Sequence, residues 1–291
     1  MVSSEIPMAW SEAFETALVA IQKVYYPEEQ RLHLACRYAL SGQGKRIRPL
    51  LCFAAAEACG GSWHRALPAA LALEFIHVYS LIHDDLPDLD NDDWRRGRLT
   101  THKVFDVATA LLAGDALLTD AFQILSQKDS NYAKNGLEMV QILSLAAGGR
   151  GMVLGQDYDL QWTGRQGYQR SDLDHMHNHK TGALIAAACV LGGMTALASP
   201  EQLATLQKFG STVGLAFQII DDLLDDSLHT GKSLGKDARL GKLTYLSLMS
   251  PMEARELCTE LTQGALELAS SFATPGIPLA SLAKALLTRK N

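Results

Sequence analysis

The sequence predicts an all-α fold, and three observations carry that reading. Ala and Leu recur at spacings of three and four along the 291 residues, which is the period of an apolar stripe on a helix. Alternating runs of Val, Ile, Thr and aromatic residues bounded by turns do not occur, so strands have almost no signal. Glycines fall where periodic stretches end, as helix stops do. Apolar residues make up 47% and charged residues 20%, a globular balance that excludes disordered, collagen-like and low-complexity chains. No Ser/Gly-rich linker divides the chain and no solenoid-type repeat recurs, so residues 1–291 are expected to form one large helical bundle.

In chain order, helices are expected at about 9–23, 28–41, 47–59, 65–86, 101–127, 134–158, 171–191, 201–227, 251–271 and 277–289. Gly42 and Gly44 stop the second and Gly60-Gly61 the third, while Asn91 to Gly97 reads as a polar linker. Thr181 to Gln202 carries one charge, Glu201 at its far end, and is long enough to suggest a membrane span. Gly192-Gly193 and Pro200 interrupt it and Ala dominates it, so it reads as a core helix plus turn, and no membrane span is expected.

The net charge is −6, which disfavours a broad grip on nucleic acid or an anionic membrane surface. Five scattered cysteines, Cys36, Cys52, Cys59, Cys189 and Cys258, form no CxxC pair. Together with the lack of a cleavable leader pattern, they point to buried thiols in a reducing cytoplasm.

The chemistry concentrates in two acidic runs. From Asp84 to Asp93, six carboxylates occupy ten positions at the end of an apolar helix: Asp84, Asp85, Asp88, Asp90, Asp92 and Asp93. At about 4 Å and an effective dielectric near 20, each like-charged pair costs roughly 4 kcal/mol, so the cluster calls for a cation or a wetter geometry. The helix C-terminus repels them further. The second run is Asp221-Asp222-Leu223-Leu224-Asp225-Asp226, with Asp221 and Asp225 on one helix face. Either run alone reads as a solvated acidic helix end. Two sets on separate helices can face one another across a bundle and hold hard divalent ions through oxygen. A calcium loop fails because Asp93 and Leu99 stand where Gly and Glu are required, and Glu74-Phe75-Ile76-His77 is the lone match to a di-iron pattern that needs two.

Three cationic groups stand out, each beside a glycine: Lys45-Arg46-Ile47-Arg48, Arg95-Arg96-Gly97-Arg98, and Lys232, Lys236, Arg239 and Lys242. Two trail an acidic run by a few residues, as a site would if it gripped an anion whose other oxygens bind metal. Gly231-Lys232-Ser233 is no phosphate loop, since Asp226 replaces the required glycine, and Leu154 breaks the dinucleotide pattern after Gly149-Arg150-Gly151. His175, His177 and His179 suggest zinc, but steps of two on a helix point about 200° apart and cannot converge. Lys180 and Thr181 beside Gly182 suit a phosphate contact better.

These residues together resemble a family. Gly44-Lys45-Arg46-Ile47-Arg48-Pro49, Asp84-Asp85 with Asp90 and Arg95-Arg96-Gly97, Gly155-Gln156-x-x-Asp159, His179-Lys180-Thr181-Gly182 and Phe217-Gln218-x-x-Asp221-Asp222-x-x-Asp225 are similar, in order and spacing, to the motifs of trans-isoprenyl diphosphate synthases, most of all bacterial farnesyl diphosphate synthases. The resemblance spans about residues 40 to 250. It implies an isoprenoid-synthase bundle around a central cavity, a homodimer, and Mg²⁺-dependent condensation of dimethylallyl or geranyl diphosphate with isopentenyl diphosphate, using three ions, with Mn²⁺ as a possible substitute. It implies Asp84, Asp90, Asp221 and Asp225 as metal ligands. Arg95, Lys180, Thr181, Gln218 and Lys232 would contact the allylic diphosphate, and Lys45, Arg48, His77 and Arg96 the isopentenyl diphosphate. Helix geometry agrees for His77, seven residues before Asp84 and about 20° off its face. Tyr79 is implied as a floor that stops growth at fifteen carbons; it lies about 140° off the Asp84 face, and Ser80 lies nearer.

The chain departs from the family pattern at Asp88, which stands where a small uncharged residue is usual and could compete with Asp90. It departs again in the short spacing from Asp225 to Lys232, which leaves Lys236 as a rival, and at Leu246, where Pro is usual. Geranyl or geranylgeranyl diphosphate synthases remain alternatives. Head-to-head condensing enzymes and terpene cyclases have no second diphosphate to hold, which Lys45, Arg48 and His77 argue against. A non-catalytic regulatory subunit would show eroded acidic runs, and both are intact.

Overall fold

The computed structural model describes residues 7–42, 44–127, 135–227 and 242–287, with side chains to Leu224 in the third stretch. The elements are α1 (Met8–Tyr25), α2 (Arg31–Leu40), α3 (Ile47–Ala58), α4 (Leu67–Asp84), β1 (Trp94–Arg95), β2 (Arg98–Leu99), α5 (Thr101–Val104), α6 (Val107–Leu125) and α7 (Gly136–Ala147). There follow α8 (Met152–Trp162), α9 (Arg170–His177), a π-turn (Asn178–Gly182), α10 (Ala183–Thr195), α11 (Pro200–Ser227), α12 (Pro251–Ser270) and α13 (Ile277–Leu287). The fold is all-α, as the sequence predicts.

Two helices form the interior. Every α4 residue from Ala69 to Ile76 is buried, as is every α10 residue from Leu184 to Thr195, and a helix apolar on all sides belongs inside a bundle. Helix α4 packs on α6, α3 and α10, and α10 packs on α3, α11 and α7. Gly192 permits the α10–α3 contact, because a Cβ there would overlap the Cys52 carbonyl oxygen. The largely uncharged stretch from Thr181 is therefore the π-turn, α10 and a turn before α11. Trp63–Asp84, Val107–Leu125 and Gly136–Trp162 have the length and apolar character of membrane spans, but the first is mostly buried inside the bundle.

Four expected elements differ. The helix expected at 171–191 is divided into α9 and α10 by the π-turn at Asn178–Gly182. The helix expected at 101–127 breaks at Phe105-Asp106, where Asp106 is extended and its carboxylate accepts from the Thr109 N–H at 2.6 Å, a strong N-cap. The helix expected at 134–158 breaks at Gly148 to Gly151, so Gly155 to Asp159 sits in the middle of a new helix instead of ending the old one. The polar linker contains a small hairpin, Trp94 opposite Leu99 and Arg95 opposite Arg98. Its turn residues Arg96 and Gly97 have φ of 51° and 75°, the twist a two-residue hairpin turn requires.

Candidate active site

A cavity of about 1030 Å³ opens between α3, α4, α8, the π-turn, α11 and the hairpin. One end is acidic, one cationic, and Tyr79, Met152, Val153, Leu160 and Phe217 line it between them.

At the acidic end, α4 terminates at Asp84 and the chain folds back so that the Asp90 N–H donates to the Asp84 carbonyl (2.9 Å) and the Asp92 N–H to the Asp85 carbonyl (3.2 Å). These bonds satisfy the orphan carbonyls of the helix end. The Asp84 carboxylate accepts from Gln156 Nε2. Burial raises its pKa, Lys180 opposes the rise and Asp90 adds to it. Asp85 faces away and accepts from Arg95 Nε at 2.7 Å and Nη2 at 2.6 Å. Lys242 Nζ lies 3.0 and 3.2 Å from the two Asp90 oxygens and 3.8 Å from Asp159. Lys180 Nζ is 2.5 Å from Asp159. Burial alone would raise Asp159, but these two lysines hold its carboxyl below the ordinary carboxylate range. From α11, Asp221 lines the cavity and Gln218 accepts from Thr181 Oγ1 at 2.8 Å.

Among the described residues no three His, Cys, Asp or Glu side chains converge as a ready-made metal cage. The donor set nevertheless fits a hard cation. Asp84, Asp90, Asp159 and Asp221 offer only oxygen, and Mg²⁺ takes one or two carboxylates and completes its shell with water and phosphate.

At the cationic end, Arg46 adopts a left-handed backbone (φ 46°) and reaches inward. Its guanidinium donates to Glu74 at 2.5 Å, Glu15 at 2.8 Å and the Gly42 carbonyl at 3.0 Å. Glu74 is 2% exposed. The neighbouring Arg48 lines the cavity, and its buried Nε has no hydrogen-bond partner among the described residues. Burial lowers its pKa to about 10, Glu74 opposes that, and Arg96 adds to it. His77 is enclosed beside Arg48, Arg96 and Arg95, and burial and these charges push it well below the ordinary histidine value. It is therefore neutral near pH 7. A buried donor without acceptor, two further guanidinia and a neutral imidazole together form a site for an anion.

Of the residues singled out from the sequence, Lys45, Arg48, His77, Tyr79, Ser80, Asp84, Arg95, Arg96, Lys180, Thr181, Gln218 and Asp221 line this one cavity. Asp90 stands beside it through Lys242. Asp88 is exposed while Asp90 is half-buried, which separates the two. The Asp225 side chain, Lys232 and Lys236 lie outside the described residues. His177 is buried against Tyr245, whereas His175 and His179 gather beside Tyr158. Three residues of the site, Lys242, Asp159 and Glu74, were noted in the sequence but given no role there. Each left a trace, in Gly241-Lys242 after the second acidic run, in the Gly-Gln-x-x-Asp pattern, and in Glu74 one helical turn before His77.

The π-turn sets the position of Lys180 and Thr181. Gly155 of α8 lies directly on the Lys180 backbone, so that a Cβ there would overlap the Lys180 nitrogen. Such turns often mark functional sites.

Comparison with known proteins accords with this geometry. The polyprenyl synthetase family model matches residues 29–267. The farnesyl diphosphate synthase of Micrococcus luteus is 47% identical over 239 residues, 81% of each chain. A dimethylallyltranstransferase of Fischerella ambigua is 44% identical over 282 residues, 96% of this chain and 81% of that one. Among solved structures, the apo form of an FPP/GFPP synthase from Zymomonas mobilis superposes with a TM-score of 0.84 at 36% identity, covering 96% of this chain and 99% of the other. The chain belongs to the polyprenyl synthetase family.

Proposed function

We propose that the protein is a Mg²⁺-dependent prenyltransferase that joins dimethylallyl or geranyl diphosphate to isopentenyl diphosphate, giving farnesyl diphosphate and diphosphate. The observation that carries this reading is one cavity, with an acidic end whose carboxylates offer only oxygen, a cationic end holding an unsatisfied buried donor, and apolar walls between. Two diphosphates and a hydrocarbon chain require that combination.

Lys180, Thr181, Arg95 and Gln218 bind the allylic diphosphate, with Lys232 assigned to the same group by motif. Lys45, Arg48, Arg96 and His77 bind isopentenyl diphosphate. Asp84, Asp90, Asp221 and Asp225 would hold Mg²⁺, three ions by family resemblance, supplying positive charge at the leaving group when bound. Lys180 and Arg95 add fixed charge there, so the allylic C–O bond breaks with its electron pair leaving on the diphosphate. The isopentenyl double bond attacks the allylic cation, and the new cation loses a proton to the departed diphosphate. Phe217, Met152 and Leu160 keep water from the cation. No side-chain nucleophile is needed.

The reading carries a homodimer in the cytoplasm. Exposed Val107, Leu111 and Leu112 on α6 suit a second copy, and the five cysteines are free, as in a reducing compartment. Tyr79, buried and edge-on to His83 at 5.7 Å, forms part of the cavity wall and, with Ser80, is assigned to limiting chain length. A longer product is the second reading, favoured by the two product lengths in the name of the Zymomonas relative. Incubation with labelled isopentenyl diphosphate, an allylic primer and Mg²⁺, followed by product chromatography, tests both. Lack of any condensed product overturns the assignment, and a chain beyond fifteen carbons overturns the farnesyl product.

A further inference from the structure

Lys242 reaches the acidic end from the stretch Lys242 to Thr244, which belongs to no helix or strand. Lysine is a flexible point charge, so the place of its Nζ depends on what fixes its backbone. Three residues later stands Tyr245, fully buried and among the largest such side chains in the protein. Its phenol O–H donates to Asp174 Oδ1 of α9 at 2.6 Å, its main-chain N–H donates to Asp222 Oδ2 of α11 at 2.7 Å, and its ring stacks on His177 at 5.6 Å. Behind it, Thr244 and Ser247 close a reciprocal capping box.

We propose that Tyr245 is a positioning residue that fixes Lys242 between Asp90 and Asp159, acting through Asp174, Asp222 and His177. The inference rests on the prenyltransferase reading for its consequence in turnover, and on geometry for the contact itself. A core aromatic needs no carboxylate, and Phe would fill the same volume. Here the ring carries an O–H bonded to a charged acceptor, a short bond of the stronger class. The anchor is also placed to matter. Asp222 adjoins Asp221, so one turn of α11 both lines the cavity and holds the Lys242 segment. Three residues span at most about 10 Å, which leaves Lys242 a short tether. Asp85 plays the matching part in the first acidic run, where the second aspartate of the pair holds Arg95 instead of facing the cavity.

The test is a double-mutant cycle on the full-length protein: wild type, Tyr245→Phe, Lys242→Ala and the double variant. Binding of inorganic pyrophosphate with Mg²⁺ is measured by calorimetry, and KM for the allylic diphosphate by steady-state kinetics. Tyr245→Phe is expected to weaken pyrophosphate and raise that KM by about tenfold, and to change neither by more than about twofold once Lys242 is Ala. An undiminished loss in the Lys242→Ala background, or no loss in the wild-type background, overturns the inference. Should Tyr245→Phe not fold, Asp174→Ala removes the acceptor from the α9 side and must show the same dependence on Lys242. If wild type binds pyrophosphate through Lys242 but transfers no prenyl group, the enzyme assignment fails and the positioning inference stands.

Discussion

Glu74 offers the sharpest test of how the cationic end is held together. It is 2% exposed and its carboxylate meets Arg46, with Arg48 and Arg96 also within its electrostatic reach. Glu74→Gln keeps the shape and removes the charge, so no cavity term enters. Stranding a buried partner in this way costs about 3–5 kcal/mol. Arg46 keeps Glu15 and the Gly42 carbonyl, which favours the lower figure, about 3 kcal/mol. At roughly 2 °C per kcal/mol for a chain this long, Tm should fall by about 6 °C. Scanning calorimetry with and without inorganic pyrophosphate reads the second half of the argument. An added anion replaces the lost countercharge, so it should raise the variant's Tm more than wild type's. A Tm loss under about 2 °C, or equal rises in the two proteins, would refute the electrostatic account.

Four further outcomes are expected. Turnover should vanish with excess chelator and return with Mg²⁺, and Asp84→Ala should mostly lower kcat; full rates in chelator would sink the metal assignment. Arg48→Ala, which removes the unsatisfied buried donor, should raise KM for isopentenyl diphosphate more than for the allylic primer, and the reverse order would exchange the two pockets. Tyr79→Ala should lengthen the product beyond fifteen carbons on chromatography while sparing the first condensation; an unchanged fifteen-carbon product would place the limit on another side chain. His177 is buried with burial holding its pKa at about 4, against 6.5 for an ordinary histidine. The unfolded chain thus takes up a proton first as pH falls, and about 3 kcal/mol of stability should be lost between pH 6.5 and 4. His177→Phe, which keeps a ring on Tyr245, should flatten that slope in urea melts, and an unchanged slope would mean another group carries it.

The fold class was legible because helical periodicity is local, and α10 could be read from its nearly uninterrupted apolar content alone. The breaks were not. Asp106 looks like any polar residue in a periodic stretch until its carboxylate is seen on the Thr109 N–H. The residues lining the cavity were legible as types, since paired aspartates and arginines beside glycines are costly without a ligand. Their partners were not. That Asp159 pairs with Lys180, with Lys242 close by, or that Glu74 pairs with Arg46 and acts on Arg48 and Arg96, depends on contacts across the bundle that no spacing encodes. Tyr79 shows the limit from the other side: counting along an ideal helix turns it away from the Asp84 face, yet the cavity is wide enough to reach around to it.

The contact of Gly155 with the backbone of Lys180 has a mechanical consequence. Side chains between two elements can change rotamer and absorb a displacement, as soft packing does. Here main chain rests on main chain, with nothing to yield. Helix α8 and the π-turn must therefore travel as one stiff part, and any tilt of α8 carries Gln156, Asp157 and Lys180 across the cavity together. A movement that brings one of these groups to a diphosphate delivers the others in register, with no separate adjustment of the lysine.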